Sequence, residues 1–525
     1  MSATHAAASN GTSGRRGLAG PGWTLVLLLS LFVLLRLPSW FEPHWYTDEG
    51  GYATTAWLAM HGSTLYSTVW NNKPPLLFWS YGLALTWFGP SELGLHLMST
   101  LLGLFAIGGL WRLAKTLLTR KRAALAVLLA VVLLGLPILN GELALPESLL
   151  IAPAIWGMVA TISVLRPGGT RARVGWGALA GACFAAAILY QQTGGAIALA
   201  AALWLLLLPR RTGWVQLATM TVVSVVLVAA ALAPYVIWAG AGNVFYFLVT
   251  SYDGYAKSSL GLTFGSVFPR AVALLAIPVC AAIGRSDPSP RWRLVWIWLA
   301  ATALTAALPN RPYDFFTIPV VFPLVLVLAA ARPPSRISAG RLTSLLRRRG
   351  APAVAALIAV GLWGYVLATG GSLSSYTTGI TLGYYQNFAG RALGTVSPVA
   401  YSNFFDYRVF GEKQAADWIR QHGLSGQSGL AWSSDAWVYL LANLRPVVPT
   451  PALYVDEMWL GPQGVMSLVE ANQPVVVVTT PSSLYVYPQI VPYLKRYYTE
   501  VDHPGESEVW VRSDHLPKGV VAVGA

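Results

Sequence analysis

Two short motifs near the start of this 525-residue chain carry residues able to do chemistry: Asp48-Glu49 and, 25 positions on, Lys73-Pro74-Pro75. A carboxylate can accept a proton and a lysine can hold an anion. Each also has a plainer reading. Asp48 suits a helix N-cap, where Asp is favoured and its charge meets the helix dipole. Lys73 can snorkel to a lipid phosphate. The proline pair is structural: it ends one segment and pre-sets the start of the next helix.

The elements that must position these residues are two short helices. Tyr52, Ala53, Ala56, Trp57 and Met60 recur at helical spacing, with Thr54 and Thr55 opposite. That pattern predicts a helix lying in the membrane interface. The run 76–89 is apolar but short, and Ser80, Tyr81 and Thr86 interrupt it. The loop 42–92 therefore reads as two interfacial helices, with acidic and cationic residues held between them at the membrane surface.

Composition places this loop on a membrane protein. Only 11% of residues are charged and 55% are hydrophobic, with a mean hydropathy of +0.55; a soluble globular chain has roughly 25% charged residues. A span needs about 20 apolar residues. Candidate runs are 22–41, 93–118, 123–140, 146–165, 175–192, 194–208, 214–240, 265–284, 293–308, 315–331 and 351–369, giving about eleven transmembrane helices if 76–89 does not cross. The loops then alternate. One side receives Arg15-Arg16, Arg120-Lys121-Arg122, Arg166, Arg171, Arg173, Arg210-Arg211, Arg285, Arg291, Arg293, Arg332, Arg336, Arg341 and Arg347-Arg348-Arg349, nineteen basic residues. The other side, before residue 351, has Lys73, Lys257 and Arg311. The positive-inside rule makes the first side cytoplasmic. It places loops 42–92 and 241–264 outside, with the tail after 369.

The net charge of +14 is thus a topology signal. No basic stripe is interleaved with aromatics as a nucleic-acid surface requires. Cys183 and Cys280 fall inside apolar runs, which argues against a disulfide framework. The Arg15-Arg16 pair and the apolar run behind it resemble a signal peptide, but bulky Leu37-Pro38-Ser39-Trp40 replaces a small-residue cleavage site, so an uncleaved first helix is expected. The division expected is a cytoplasmic tail 1–21, a membrane domain 22–369 and an extracytoplasmic domain 370–525. That last part mixes amphipathic helical stretches near Glu412–His422 and Trp437–Asn443 with β-branched runs at Val475–Thr480 and Val509–Val511. It reads as a small α/β domain.

The order Asp-Glu-x-x-Tyr just after the first span, followed by Lys-Pro-Pro before an aromatic-rich surface helix, resembles the GT-C membrane glycosyltransferases. The branch in question contains bacterial lipid A aminoarabinose transferases and protein O-mannosyltransferases. The resemblance implies a polytopic all-α membrane fold with juxtamembrane helices and an external α/β domain. It implies an inverting transfer from a polyprenyl-phosphate-linked sugar to an envelope glycan, lipid or protein hydroxyl, at the outer face of a bacterial plasma membrane. Carried across, Asp48 is the general base, Glu49 supports it or begins the helix, Tyr52 completes the motif and Lys73 holds the donor phosphate. General-base catalysis is typically worth ~10²–10⁴-fold, and a cation in a dehydrated site stabilises charge developing on the leaving phosphate.

Other positions are matched to the family in turn. Glu142 corresponds to an acidic residue in the second external loop; Pro146-Glu147 flanks the same end of the next span. Gln192, in Tyr190-Gln191-Gln192-Thr193, matches a polar pair facing the cavity, although helix–helix packing explains it too. Tyr255 and Lys257 lie in a loop that helps bind the donor in relatives; interface anchoring is the other reading. Arg311 and Tyr313 precede a proline-containing span, and Arg311 has the planar fork suited to phosphate. Relatives carry His-Tyr where this chain has Tyr313-Asp314, which puts any His-dependent step in doubt. No motif requires a cofactor, and no Walker loop, dinucleotide fingerprint, HExxH or Cys/His cluster occurs. A pair such as Asp48 and Glu142 could hold Mg²⁺ or Mn²⁺. The rival reading is a transporter or flippase of an amphiphilic substrate, which predicts charged broken helices at mid-bilayer and inverted repeats; neither is evident.

Overall fold

The computed structural model describes residues 21–251, 287–307, 313–331, 378–433 and 436–523. Its larger part is a bundle of apolar helices. In chain order these are α1 (Pro21–Arg36), α2 (Thr47–Met60), α3 (Pro75–Phe88), α4 (Glu92–Leu117), α5 (Arg120–Gly135), α6 (Pro146–Ile162), α7 (Thr170–Tyr190), α8 (Gly194–Leu206), α9 (Arg210–Ala239) and α10 (Ala241–Phe245). Two more follow at Pro290–Ala307 and Ile318–Ala330. Among the described residues, five are long and apolar enough to cross a membrane: Gly22–Phe41, Glu92–Leu117, Pro146–Leu165, Thr170–Tyr190 and Gly213–Ala239. The expected runs 123–140, 194–208 and 315–331 meet shorter helices, and the run 293–308 falls on the 18-residue helix Pro290–Ala307. The runs 265–284 and 351–369 lie outside the described residues.

Small residues let the helices approach closely. A Cβ at Gly181 of α7 would stand 2.6 Å from the Met220 carbonyl oxygen of α9, and one at Gly157 of α6 would stand 2.6 Å from the Phe184 ring. Lipid gives helices no hydrophobic reason to associate, so such contact supplies the packing. The outward face of α9 exposes Val222, Val225, Val226, Ile237 and Trp238, a surface matched to hydrocarbon.

The two short helices differ in detail from expectation. Tyr46, not Asp48, caps α2, and it makes no side-chain capping bond. Asp48 and Glu49 lie inside the first turn, where the positive end of the dipole favours their charge. Thr54 and Thr55, placed opposite the apolar face, are fully buried. Thr54 Oγ1 donates to the Ala436 carbonyl at 2.9 Å. Helix α3 has 14 residues, about 21 Å at 1.5 Å rise, which is short of the ~30 Å hydrocarbon thickness.

The C-terminal domain is built on five strands: β1 (Ser428–Trp432), β2 (Arg445–Pro446), β3 (Val476–Thr479), β4 (Tyr498–Asp502) and β5 (Glu508–Arg512), in the order β2-β1-β3-β5-β4. β2, β1 and β3 are parallel; β5 pairs antiparallel with β3 and β4. Helices cover both faces and form two apolar clusters. Ala415, Ile419 and Val438 belong to one; Leu453, Val465 and Val469 belong to the other. The expected strands at 475–480 and 509–511 are β3 and β5.

Candidate active site

A cavity of about 740 Å³ lies where α2, the loop before α3, the start of α6, the α7–α8 junction and the C-terminal domain meet. Asp48, Lys73, Glu147, Gln192, Tyr454 and Trp459 are on its wall.

Asp48 reaches this wall because the chain turns into α2 at Tyr46. One carboxylate oxygen, Oδ1, accepts a hydrogen bond from the Tyr454 hydroxyl at 3.3 Å. Tyr52, one turn further along α2, also lines the cavity. Burial first, and the charge of Asp48 second, hold the Tyr52 phenol well above its usual range. It therefore stays a neutral hydrogen-bonding group at physiological pH.

Lys73 is placed by its backbone. The Tyr66 hydroxyl donates to the Lys73 carbonyl at 2.6 Å, the Lys73 N–H donates to Asn71 Oδ1 at 3.2 Å, and Gln192 Nε2 donates to the Asn72 carbonyl at 2.7 Å. Pro75 then opens α3 in its first turn. Tyr66 is fully buried with φ 67°, a left-handed conformation that costs a non-glycine residue about 1–3 kcal/mol.

Glu147 stands in the first turn of α6. Its Oε1 accepts from Gln191 Nε2 at 2.7 Å, and it shares the cavity wall with Lys73. The acidic residue of this loop that reaches the cavity is therefore Glu147, whereas Glu142, the residue matched from the sequence, is not on the wall. Glu142 instead sits beside Arg36, whose guanidinium donates to the backbone carbonyls of Gly141 and Glu142 and to Ser99 Oγ. Burial, and next the charge of Glu42, push the Glu142 carboxyl up to about 8. Asp48 and Glu142 thus do not face one another as the suggested Mg²⁺ or Mn²⁺ pair.

Glu49 also turns away from the cavity. Its Oε1 accepts from the Ala144 N–H at 2.5 Å and its Oε2 lies 3.2 Å from His96 Nε2. His96 Nδ1 donates to the Ser39 carbonyl at 2.5 Å, and Glu92 lies 3.4 Å from His96 Nε2. The geometry gives Glu49 a structural task in locking α2 to α4. Glu49, Glu92 and His96 form one group compact enough to hold a metal ion; Glu500, His503 and Glu508 in the C-terminal domain form another. Neither group is on the cavity wall.

Gln192 and Tyr313 do line the cavity, and Gln192 Nε2 also bonds the Leu248 carbonyl at 3.1 Å. Tyr313 stacks on Phe315 with centroids 5.3 Å apart. Tyr255, Lys257 and Arg311 lie outside the described residues. The sequence did not single out Tyr454, Trp459 or the Asp406–Arg408 ion pair, all on the wall. No local motif marks them, since the docking of the C-terminal domain brings them there.

Residues 72–238 match the family described as dolichyl-phosphate-mannose-protein mannosyltransferase. The fold resembles the crystal structure of ArnT from Cupriavidus metallidurans bound to undecaprenyl phosphate. That likeness has a TM-score of 0.61 and 19% identity, and covers 94% of this chain and 98% of that one. The apo state of the same protein gives 0.57 and 19%, over 93% and 97%. An uncharacterised protein of Aquifex aeolicus (strain VF5) is 30% identical over 128 residues, a match spanning 23% of this chain and 26% of the relative. The fold is thus shared with ArnT, as the resemblance read from the motif order implied.

Proposed function

We propose that the protein is an inverting glycosyltransferase that moves a sugar from a polyprenyl-phosphate donor to a hydroxyl of a cell-envelope glycan, lipid or protein, at the outer face of a bacterial plasma membrane. The observation that carries this reading is that Asp48 and Lys73 share the wall of one cavity at the top of an apolar helix bundle. The acceptor oxygen attacks the anomeric carbon while Asp48 takes its proton. The bond from that carbon to the phosphate oxygen breaks, and its electron pair leaves with the polyprenyl phosphate. Lys73 stabilises the charge gained there, and the low dielectric of a closed site strengthens the effect. Glu147 and Gln191 orient polar groups on the facing wall. The aromatic side chains of Trp45, Trp70, Phe316 and Trp459 supply flat apolar surfaces for a sugar ring. The undecaprenyl phosphate bound by ArnT supports a lipid-phosphate donor for a chain of the same fold.

The test is turnover with hexosyl, pentosyl and aminopentosyl undecaprenyl phosphates, read as release of undecaprenyl phosphate by the full chain in nanodiscs. Release from at least one donor, lost in Asp48→Asn, is expected. Wild-type turnover in Asp48→Asn overturns the assignment of the base.

A further inference from the structure

The proposed base is touched by a residue some four hundred positions away. Tyr454 stands in the first turn of the C-terminal helix Leu453–Asn472, and its hydroxyl is 3.3 Å from Asp48 Oδ1. At neutral pH a phenol is the donor in such a pair. The spacing exceeds the 2.7–2.8 Å typical of a formed hydroxyl bond, as is common in catalytic sites before substrate arrives.

Three features aim this phenol. Asp456, fully buried, accepts the Thr450 N–H on Oδ1 at 3.1 Å and so closes the turn from which Tyr454 projects. The Trp70 N–H donates to the Pro449 carbonyl at 2.8 Å, tying the same turn to the loop before Lys73. Trp437 lies against the start of α2: a Cβ at Gly50 would stand 2.7 Å from its ring. The helix turn that carries Asp48 is therefore held by the domain that supplies Tyr454.

We propose that Tyr454 is a positioning residue for the transfer reaction, fixing the plane of the Asp48 carboxylate and making the base competent only when the C-terminal domain is docked. This rests on the reading of Asp48 as the base. A donor bonded to the charged carboxylate favours that form, so its removal raises the pH at which Asp48 loses its proton. Asp48 shares the cavity with the ionisable groups of Lys73, Glu147, Asp406 and Arg408 and with the phenols of Tyr46, Tyr52 and Tyr313. Tyr454→Phe changes none of them.

The experiment compares wild type and Tyr454→Phe as full chains in nanodiscs. The Asp48 carboxyl is titrated by infrared difference against Asp48→Asn. Its midpoint is expected to rise by about half to one pH unit in Tyr454→Phe. Release of undecaprenyl phosphate is expected to fall about tenfold in kcat, the weight of one hydrogen bond, with the acid limb of the pH profile moving the same way and KM for the donor unchanged. An unmoved midpoint overturns the proposal, whatever the activity. If Asp48→Asn keeps its turnover, the base assignment fails instead, and the titration shows which idea is at fault.

Discussion

Glu147, at the start of α6, and Gln191, just past the end of α7, face each other, with Gln191 Nε2 donating to Glu147 Oε1 at 2.7 Å. This pair sets the carboxylate that shares the cavity with Lys73. Glu147→Gln keeps a polar group there but removes the carboxyl. Transfer should fall about tenfold or more, the scale of a hydrogen bond to a charged group. Glu142→Gln, off the wall, should leave kcat within about twofold. Steady-state kinetics of the two variants decide the matter: a larger loss in Glu142→Gln would return the acidic role to that residue.

Asp48→Asn should lower transfer by about 10²–10⁴-fold, the usual contribution of a general base. The change is nearly isosteric, so donor binding and thermal stability should hold. Binding of fluorescent undecaprenyl phosphate, measured beside turnover, separates loss of chemistry from loss of fold.

Lys73→Ala should act on the donor. Its backbone is held by Tyr66, Asn71 and Gln192 through the loop, so truncation removes the charge while the loop keeps its path. Loss of the ammonium should weaken undecaprenyl phosphate binding about tenfold. An unchanged dissociation constant and kcat would remove Lys73 from the site.

Glu142 provides a pH signature of stability. Its folded carboxyl titrates at about 8, above the ~4.3 of an unperturbed Glu. The folded state thus favours the protonated form. The favourable contribution is complete below about pH 4 and is lost as pH rises through 8. Glu142→Gln imitates the protonated state, so its melting temperature relative to wild type should rise between pH 5 and 9. A flat difference across that range contradicts the burial argument.

Gly50→Val tests domain docking. The added side chain meets the Trp437 ring, and overpacking of this kind typically costs 1–3 kcal/mol. Faster limited proteolysis between the bundle and the C-terminal domain is expected, with turnover reduced in parallel. Normal proteolysis and activity would show that the contact yields easily.

Much of this was readable in the chain. Asp48, Tyr52 and Lys73 announced themselves through motif order, helical spacing and the Pro-Pro start of α3. The β-branched runs of β3 and β5 were legible for the same local reason. β1 was missed because Gly429 and Ala431 dilute its pattern, and Leu453–Asn472 because Gly461-Pro462 breaks its helical reading. Choosing Glu142 over Glu147 needed the exact start of α6, which places one carboxylate on the cavity wall and the other beside Arg36. The burial of Thr54 and Thr55 was not legible because periodicity reports polarity, and here a second domain satisfies Thr54. Tyr454 had no local signal at all.

The cavity wall joins residues from both ends of the polypeptide. Ribosomes deliver Asp48 and Lys73 early and Tyr454 and Trp459 only after more than three hundred further residues. During biogenesis the helix bundle can therefore form while its cavity still lacks a wall. Folding of the later-made C-terminal domain then acts as the commissioning step, so a chain stalled before Tyr454 holds Asp48 and Lys73 without a finished cavity.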